Sequence, residues 1–209
     1  MAMIVGTYRL RSEVSVDNEI KAAKSNQLIA KACNDSAAFV QLYRRHYDAV
    51  FRYCVHRLFD RQTAEDITSQ VFLKVVENLS RFKGADAQFR NWLYRIATNA
   101  VNDHLRKAAR RKAVLKVACE QAKSQAANCK DTSDEKLAVL REAVLSLRPR
   151  YQTIVTLRFF ENLKLTEIAE VLGSSAGTVR SQLARALAKL RKKIRELAPE
   201  VTEDSERFN

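Results

Sequence analysis

The residues best equipped for chemistry in this 209-residue chain lie in two basic segments. In the first, Phe89 to Lys112 (FRNWLYRIATNAVNDHLRKAARRK), Trp92, Arg95, Asn99, Asn102, Asp103, Arg106 and Arg110 recur at three- and four-residue steps, which puts them on one helix face. An indole stacks on unpaired bases, amides and a carboxylate hydrogen-bond base edges, and guanidinium groups hold phosphates. The same spacing also describes an ordinary amphipathic surface helix. In the second, Leu165 to Ile194 (LTEIAEVLGSSAGTVRSQLARALAKLRKKI), Val179, Leu183, Leu187, Leu190 and Ile194 form a buried stripe. The opposite face carries Gly177, Thr178, Ser181, Arg185 and Ala188, with Arg180 on the flank. Small side chains let such a helix sit deep in a groove, while Ser and Arg reach base edges and phosphates. No side chains pair at catalytic spacing, so no catalytic residue, metal or cofactor is expected and binding is the chemistry on offer.

These faces need helices to hold them. Apolar residues recur at the helical period over most of the length, with helices expected near 18–32, 36–59, 63–79, 87–112, 134–147, 150–161, 165–172 and 176–197. No alternating strand pattern competes, so the fold class is all-α. Around Gly173 the pattern reads helix, turn, helix, with Thr166 expected to cap the first helix, Gly173 to end it and Ser175 to cap the second. A helix of this kind enters the DNA major groove, and a plain helical hairpin is the competing reading. Lys189, Arg191, Lys192, Lys193 and Arg195 suit either phosphates or the negative end of their own helix. The stretch 113–133 offers little to bury and reads as a flexible linker, with Thr132 or Ser133 capping the helix expected from 134. The expected division is therefore an N-terminal extension at 1–33, partly disordered, a helical domain at 34–112, the linker, a second helical domain at 134–197 and a tail at 198–209.

Charge agrees with that division. Lys and Arg number 37 against 24 Asp and Glu. Residues 90–116 hold eight basic residues against Asp103, and residues 176–197 hold seven against Glu196. These two excesses account for the whole net charge of +13, and two separate footprints on an otherwise neutral chain suit a polyanion such as nucleic acid. With 4 Gly and 2 Pro, a turn-rich all-β fold and a glycine-cradled nucleotide site are both excluded. Cys33, Cys54, Cys119 and Cys129 make no CxxC pair, and His46, His56 and His104 are badly spaced for zinc. The opening MAMIVGTYRLRSEV reads as no export signal, and no apolar run approaches 18 residues. Reduced thiols in the cytoplasm are the expectation.

Upstream of the first basic helix, TAEDITSQVFLKVVENL combines Glu65 and Asp66 with Val71, Phe72, Val75 and Val76. The two acids serve either as helix-start charges or as part of a ridge for a partner with a basic groove. In this order the blocks AEDITSQVFLKV, FRNWLYRIATNAVNDHLRKAARR and LSLRPRYQTIVTLRFFENLKLTEIAEVLGSSAGTVRSQLARALAKLR resemble a bacterial RNA polymerase sigma factor of the extracytoplasmic-function (ECF) group, over residues 34–195. The resemblance implies a sigma-2-like helical bundle and a sigma-4-like helix-turn-helix domain, whose partners are core polymerase (the beta-prime clamp and beta flap) and promoter DNA. It gives the polymerase clamp Glu65, Asp66, Val71 and Phe72. Asn99 and Asp103 would read a flipped-out base of the minus-ten non-template strand. Arg95 and Arg106 would support that strand, with Trp92, Asn102 and Arg110 beside them. Arg180, Ser181 and Arg185 would read the minus-thirty-five duplex, flanked by Ser175 and Thr178. The implied location is the cytoplasm, with nucleoid association through polymerase, and the implied role is initiation in a stress or signal response.

Three positions depart from the family's pattern: Thr63 and Gln70 stand where acids are usual, and Ser69 where glutamine is usual. This predicts weaker polymerase binding, restored by a Ser/Thr kinase acting on Thr63, or else Thr63 is a simple helix cap. An anti-sigma factor is the other candidate regulator. A conventional helix-turn-helix regulator remains the competing reading of the whole chain, and it would not need the AEDITSQVFLKV block.

Overall fold

The structure, a computed structural model, describes residues 23–119 and 135–198. Every regular element among them is helical: α1 (23–32), α2 (Ser36–Leu58), α3 (Arg61–Asn78), a 3-10 turn at Leu79–Arg81, α4 (Asp86–Cys119), α5 (Glu135–Leu145), α6 (Pro149–Phe159), α7 (Leu165–Leu172) and α8 (Ala176–Leu197). The expected all-α class and the helix-turn-helix at α7–α8 are both present. The disorder expected in the first residues, most of the linker, the Thr132 or Ser133 cap and nearly all of the tail lie outside the described residues.

Local chemistry sets the corners. Asp60, not Thr63, caps α3: its carboxylate accepts the Thr63 N–H at 2.8 Å, so the helix begins two residues earlier than the apolar pattern suggested. Glu65 and Asp66 consequently sit in the second turn, beyond the reach of the helix-start charges, and Glu65 pairs with Arg61 at 3.2 Å. Phe59 closes α2 in the left-handed region (φ 53°), which lets Asp60 start α3 at once. At α7 the cap is also earlier than expected. Lys164 precedes the helix and Glu167 folds back to accept its N–H at 2.7 Å, leaving Thr166 inside the first turn.

The end of α7 follows the sequence closely. Gly173 takes a left-handed conformation (φ 59°), the Ser174 N–H reaches the Ala169 carbonyl at 2.9 Å, and the Gly173 N–H reaches Glu170 at 3.3 Å. Ser175 then caps α8 through the Thr178 N–H at 3.1 Å.

α4 differs from its expected limits in two ways. It continues past 112 to Cys119, into the stretch read as linker, and its start is held by α1. The Asp86 N–H donates to Asn26 at 2.8 Å, Ser25 hydrogen-bonds the Asp86 carboxylate, and Arg45 adds an ion pair at 3.5 Å. Ser25, Ile29 and Ala32 are buried, so α1 packs as part of the first bundle although it falls in the segment expected to lie outside it.

One apolar core runs through α1 to α4 and onward to Ile154, Leu157, Leu163, Ile168, Ala169, Val171 and Val179. A smaller core joins Ala143, Val144, Leu147, Val155, Ala186 and Leu190. α2 packs on α6 and α4 on α7, so the two helical units share a core.

Candidate nucleic-acid interface

α4 buries Phe89, Leu93, Ala97, Ala100 and Val101, which turns its polar stripe outward from the first bundle. The structure divides that stripe between two clefts that meet at Asn99. The first, about 470 Å³, is lined by Lys74 and Asn78 of α3, Arg81, Phe82 and Lys83 of the following turn, and Trp92, Ile96 and Asn99 of α4. Trp92 is a fixed wall rather than a free platform, because its ring lies 5.1 Å from Phe82 and 5.6 Å from Phe89. Gly84 keeps the turn beside Phe82 tight: a methyl group there would meet the Phe82 ring at 2.9 Å and the Gln88 side chain at 2.7 Å, so both would have to shift. Two aromatic rings, two amides and three cations converge here, the set that stacks a base, reads its edge and holds its phosphates.

Lys74, Asn78, Arg81, Phe82 and Lys83 were not singled out by the sequence. Their charges are lost in the balanced remainder, although the dense RFKG turn beside a helix carrying Trp92 is a usable signal.

The second cleft, about 550 Å³, lies between α4 and the helix-turn-helix unit, with Asn99, Asn102, Asp103 and Arg106 on one wall and Arg150, Thr153 and Leu172 on the other. Asn102 accepts from Arg57 at 3.1 Å, and Asp103 pairs with Arg106 on its own helix. Arg95 donates to the Glu170 carbonyl of α7, while Arg110 is exposed next to Ala109 at the edge of the cleft. Of the seven α4 candidates, then, two wall the first cleft, four line the second with Asn99 common to both, and Arg95 and Arg110 lie outside them.

On α8 the expected face is open. Gly177, Thr178, Arg180, Ser181, Arg185 and Ala188 are exposed, and Val179, Ala186 and Leu190 anchor the opposite side. Ser175 and Thr178 are engaged locally, their hydroxyls 2.9 Å apart, and Ser181 donates to the Thr178 carbonyl at 3.0 Å. Among the described residues Arg180 and Arg185 form no ion pair.

The polymerase-facing set needs correction. Val71 and Phe72 are core residues, 0% and 5% exposed, because α3 buries the stripe Ala64, Ile67, Thr68, Val71, Phe72 and Val75. The Phe72 ring lies 4.7 Å from that of Tyr43. The outer face holds Glu65, Asp66 and Ser69, continued by Leu73 and Val76, which are 60% and 53% exposed. An apolar strip beside acids suits contact with another protein better than contact with DNA. No described helix is long and apolar enough to cross a membrane.

Comparison with known proteins gives the family. The sigma-70 region 2 profile matches residues 42–111 and the sigma-70 region 4 profile matches residues 137–190. The ECF RNA polymerase sigma factor BldN of Streptomyces coelicolor is 33% identical over 172 residues, which is 81% of this chain and 65% of that protein. The RNA polymerase sigma-H factor of Pseudomonas aeruginosa is 32% identical, covering 79% of this chain and 91% of that one. The ECF sigma factor SigW of Bacillus subtilis is 27% identical and is covered in full. In fold, the chain is similar to RpoE bound to the anti-sigma factor NepR of Bartonella quintana (TM-score 0.58, 20% identity, 78% of this chain and 97% of that one). It is also similar to CnrH bound to the cytosolic domain of CnrY (TM-score 0.59, 24% identity, 80% and 95%). The chain belongs to the ECF group of RNA polymerase sigma factors, the proteins through which transcription is initiated.

Proposed function

We propose that this sigma factor divides promoter recognition between its two basic helices and meets core polymerase through the outer face of α3. The cleft of Phe82, Trp92, Asn78 and Asn99, rimmed by Lys74, Arg81 and Lys83, carries this reading. It would take one extruded base of the minus-ten non-template strand, and stacking there offsets the few kcal/mol that unstacking costs. Arg95, Asn102, Asp103, Arg106 and Arg110 continue the path of the strand along α4. Arg180, Ser181 and Arg185 would read the minus-thirty-five duplex, with Ser175 and Thr178 setting the start of α8. On α3, Glu65, Asp66, Ser69, Leu73 and Val76 would meet the beta-prime clamp, with the α5–α8 unit at the beta flap. The protein would work in the cytoplasm, on genes of a stress or signal response, without chemistry of its own.

The test is transcription by purified core polymerase with this chain on a library of promoters. Initiation confined to a subset sharing both elements is expected. Duplex binding with no initiation would instead identify a conventional helix-turn-helix regulator.

Control would act on the same α3 face, which lacks two of the usual acids. Thr63 is the third residue of α3, partly exposed, and phosphate there would add roughly −1.5 to −2 charges near a helix N-terminus. The Asp60 carboxylate that accepts the Thr63 N–H would repel it, so the modification would shift the negative charge outward rather than improve the cap. Thr63→Glu should raise transcription in the purified system and Thr63→Ala should not. Equal activity of the two would end the phosphorylation reading. An apolar groove of about 240 Å³ between Phe59, Leu137, Leu140, Val144 and Phe160 supports the other mode of control, by an anti-sigma factor.

A further inference from the structure

We infer, on the strand-capture reading of α4 above, that Arg57 is a positioning residue for minus-ten recognition: it turns the Asn102 amide so that this side chain meets the separated strand as a hydrogen-bond donor only. Arg57 lies in the last turn of α2 and is 2% exposed. One of its terminal nitrogens donates to Oε1 of Gln152 and the other to Oδ1 of Asn102 at 3.1 Å. A guanidinium only donates, so the oxygen of each amide faces it. The Gln152 amide is fixed a second time, because its own nitrogen donates to the carbonyls of Leu145 and Leu147 at 3.2 and 2.9 Å. The Asn102 amide is set by Arg57 alone, since its hydrogen bond among the described residues is made through the oxygen. Its nitrogen is left for the cleft that Asn102, half-buried, lines together with Asn99, Asp103 and Arg106.

Two features set this arrangement apart from ordinary packing. The first is a missing counter-charge. Among the described residues Arg57 is in no ion pair, and its Nε is buried without a hydrogen-bond partner. The carbonyls that end α2 offset a buried cation only in part. A carboxylate at position 102 would give the guanidinium a charge-assisted bond, and the adjoining Asp103 is already paired with Arg106. The fold would therefore gain from aspartate there, yet an amide occupies the place. The second is what an amide offers. Its NH2 group donates to a base edge, whereas a carboxylate has no donor and repels phosphate. With Oδ1 held inward, the two-bond pairing of asparagine with adenine, which needs Oδ1 and Nδ2 together, is unavailable. The remaining donor suits the keto oxygens of guanine and thymine. Asn102 should therefore select a keto base at one position of the minus-ten strand, close to the base taken at Asn99 one helical turn away.

The test assembles the full chain with purified core polymerase, offers it a pool of short single-stranded DNA of randomised sequence and sequences the bound strands. Thermal unfolding of the chain alone is measured beside it. Asn102→Asp should raise the melting temperature by about 3 °C. It should also weaken binding of the pool about tenfold and exchange the keto preference at one position for an amino base, adenine or cytosine. Arg57→Met keeps most of the volume and frees the Asn102 amide to turn. It should relax that same position to all four bases while the other positions keep theirs, and in its background Asn102→Asp should no longer raise the melting temperature. A merely structural Arg57 would lower stability in Arg57→Met and leave base choice unmoved, which would overturn the proposal. So would a melting temperature that Asn102→Asp fails to raise. If no chain enriched any sequence while Asn102→Asp still stabilised the fold through Arg57, strand capture would be refuted together with the base-reading role of Asn102, and the pairing of Arg57 with residue 102 would stand as structure alone.

Discussion

The two basic helices carry nearly the same excess of charge and use it in opposite ways. Over 176–197 α8 holds seven basic residues against one acid, and its reading face is exposed, with Arg180 and Arg185 in no ion pair among the described residues. Over 90–116 α4 holds eight basic residues against one acid, and most of its reading face is engaged. Trp92 stands against two rings, Asn102 accepts from Arg57, Asp103 pairs with Arg106 and Arg95 reaches α7. Duplex DNA offers a rigid groove that an open face can enter without preparation. A separated strand exists only after melting, and the surface proposed for it on α4 is engaged with the protein's own groups. Composition reports both surfaces alike, and only the packing tells the ready one from the held one.

The strongest way to break this contrast is at Arg57, where the units meet. Its side chain is fully buried, donates to Gln152 of α6 and to Asn102 of α4, and is in ion-pair range of no carboxylate among the described residues. Arg57→Ala should destabilise the folded chain by about 4 kcal/mol, through a cavity and two stranded acceptors. Thermal unfolding measures this. Arg57→Met, which keeps the volume, should fall between the variant and the wild type. A transition unchanged in Arg57→Ala would mean that α4 and α6 are not coupled through this node.

Acid should act on one region and spare the other. All three histidines precede residue 105, and His46 is partly buried beside Phe89, its ring 5.3 Å away. Burial first, then Arg45, lower its pKa from 6.5 to about 4. The folded state therefore binds fewer protons than the unfolded one between those values, so stability is full above pH 6.5 and declines as pH falls toward 4. The loss approaches about 3 kcal/mol at the low end. Burial lowers His56 in the same direction. His46→Gln should flatten the pH dependence of the melting temperature, with hydrogen exchange placing the change in α2 and α4 and leaving α8 protected. Equal deprotection of α8 would show that the shared core makes the regions one cooperative unit.

The division of labour itself is tested by two truncations. Arg185→Ala should weaken binding of a minus-thirty-five duplex by about 2 kcal/mol, while Asn99→Ala should leave that affinity intact and slow promoter opening by a similar amount. Equilibrium binding and a base-unstacking fluorescence signal separate the two. Equal effects on duplex affinity would collapse the distinction.

Legibility in the sequence followed range. The helix-turn-helix was readable because its determinants are neighbours: Gly173 ends α7, Ser175 begins α8 and Val179 starts the buried stripe. The α4 stripe was equally readable as a stripe, since one helix carries all of it. The first cleft was only half readable, because Phe82, Lys74 and Asn78 meet Asn99 from another helix and a turn. Phase decided the face proposed for polymerase: packing of α3 turns Val71 and Phe72 inward and Leu73 and Val76 outward, which a motif carried over by position does not reveal. Contacts such as Arg57 to Gln152 or Arg52 to Glu161 span 95 and 109 residues, and no local pattern encodes them.

The smallest effect sharpens the comparison from the open side. Ser175 accepts the Thr178 N–H, and its hydroxyl also contacts that of Thr178. Ser175→Ala should cost about 1 kcal/mol of stability, felt at the first turn of α8. Because Arg180 and Arg185 are presented by that helix and form no ion pair among the described residues, fraying its start should weaken binding of the minus-thirty-five duplex in step with the lost cap, and Ser175→Asp should restore the fold. Ser175→Asp should not fully restore DNA affinity, since the added charge faces the phosphates. The equivalent change on the other helix, Gln88→Ala, removes the acceptor of the Ala85 N–H at the start of α4. It should alter promoter opening far less, because Asn26, Ser25 and Arg45 still hold Asp86. Equal sensitivity of the two helix starts would mean that α4 is no better held than α8, and the contrast between a ready surface and a held one would rest on the contacts of Arg95, Asn102 and Asp103 alone.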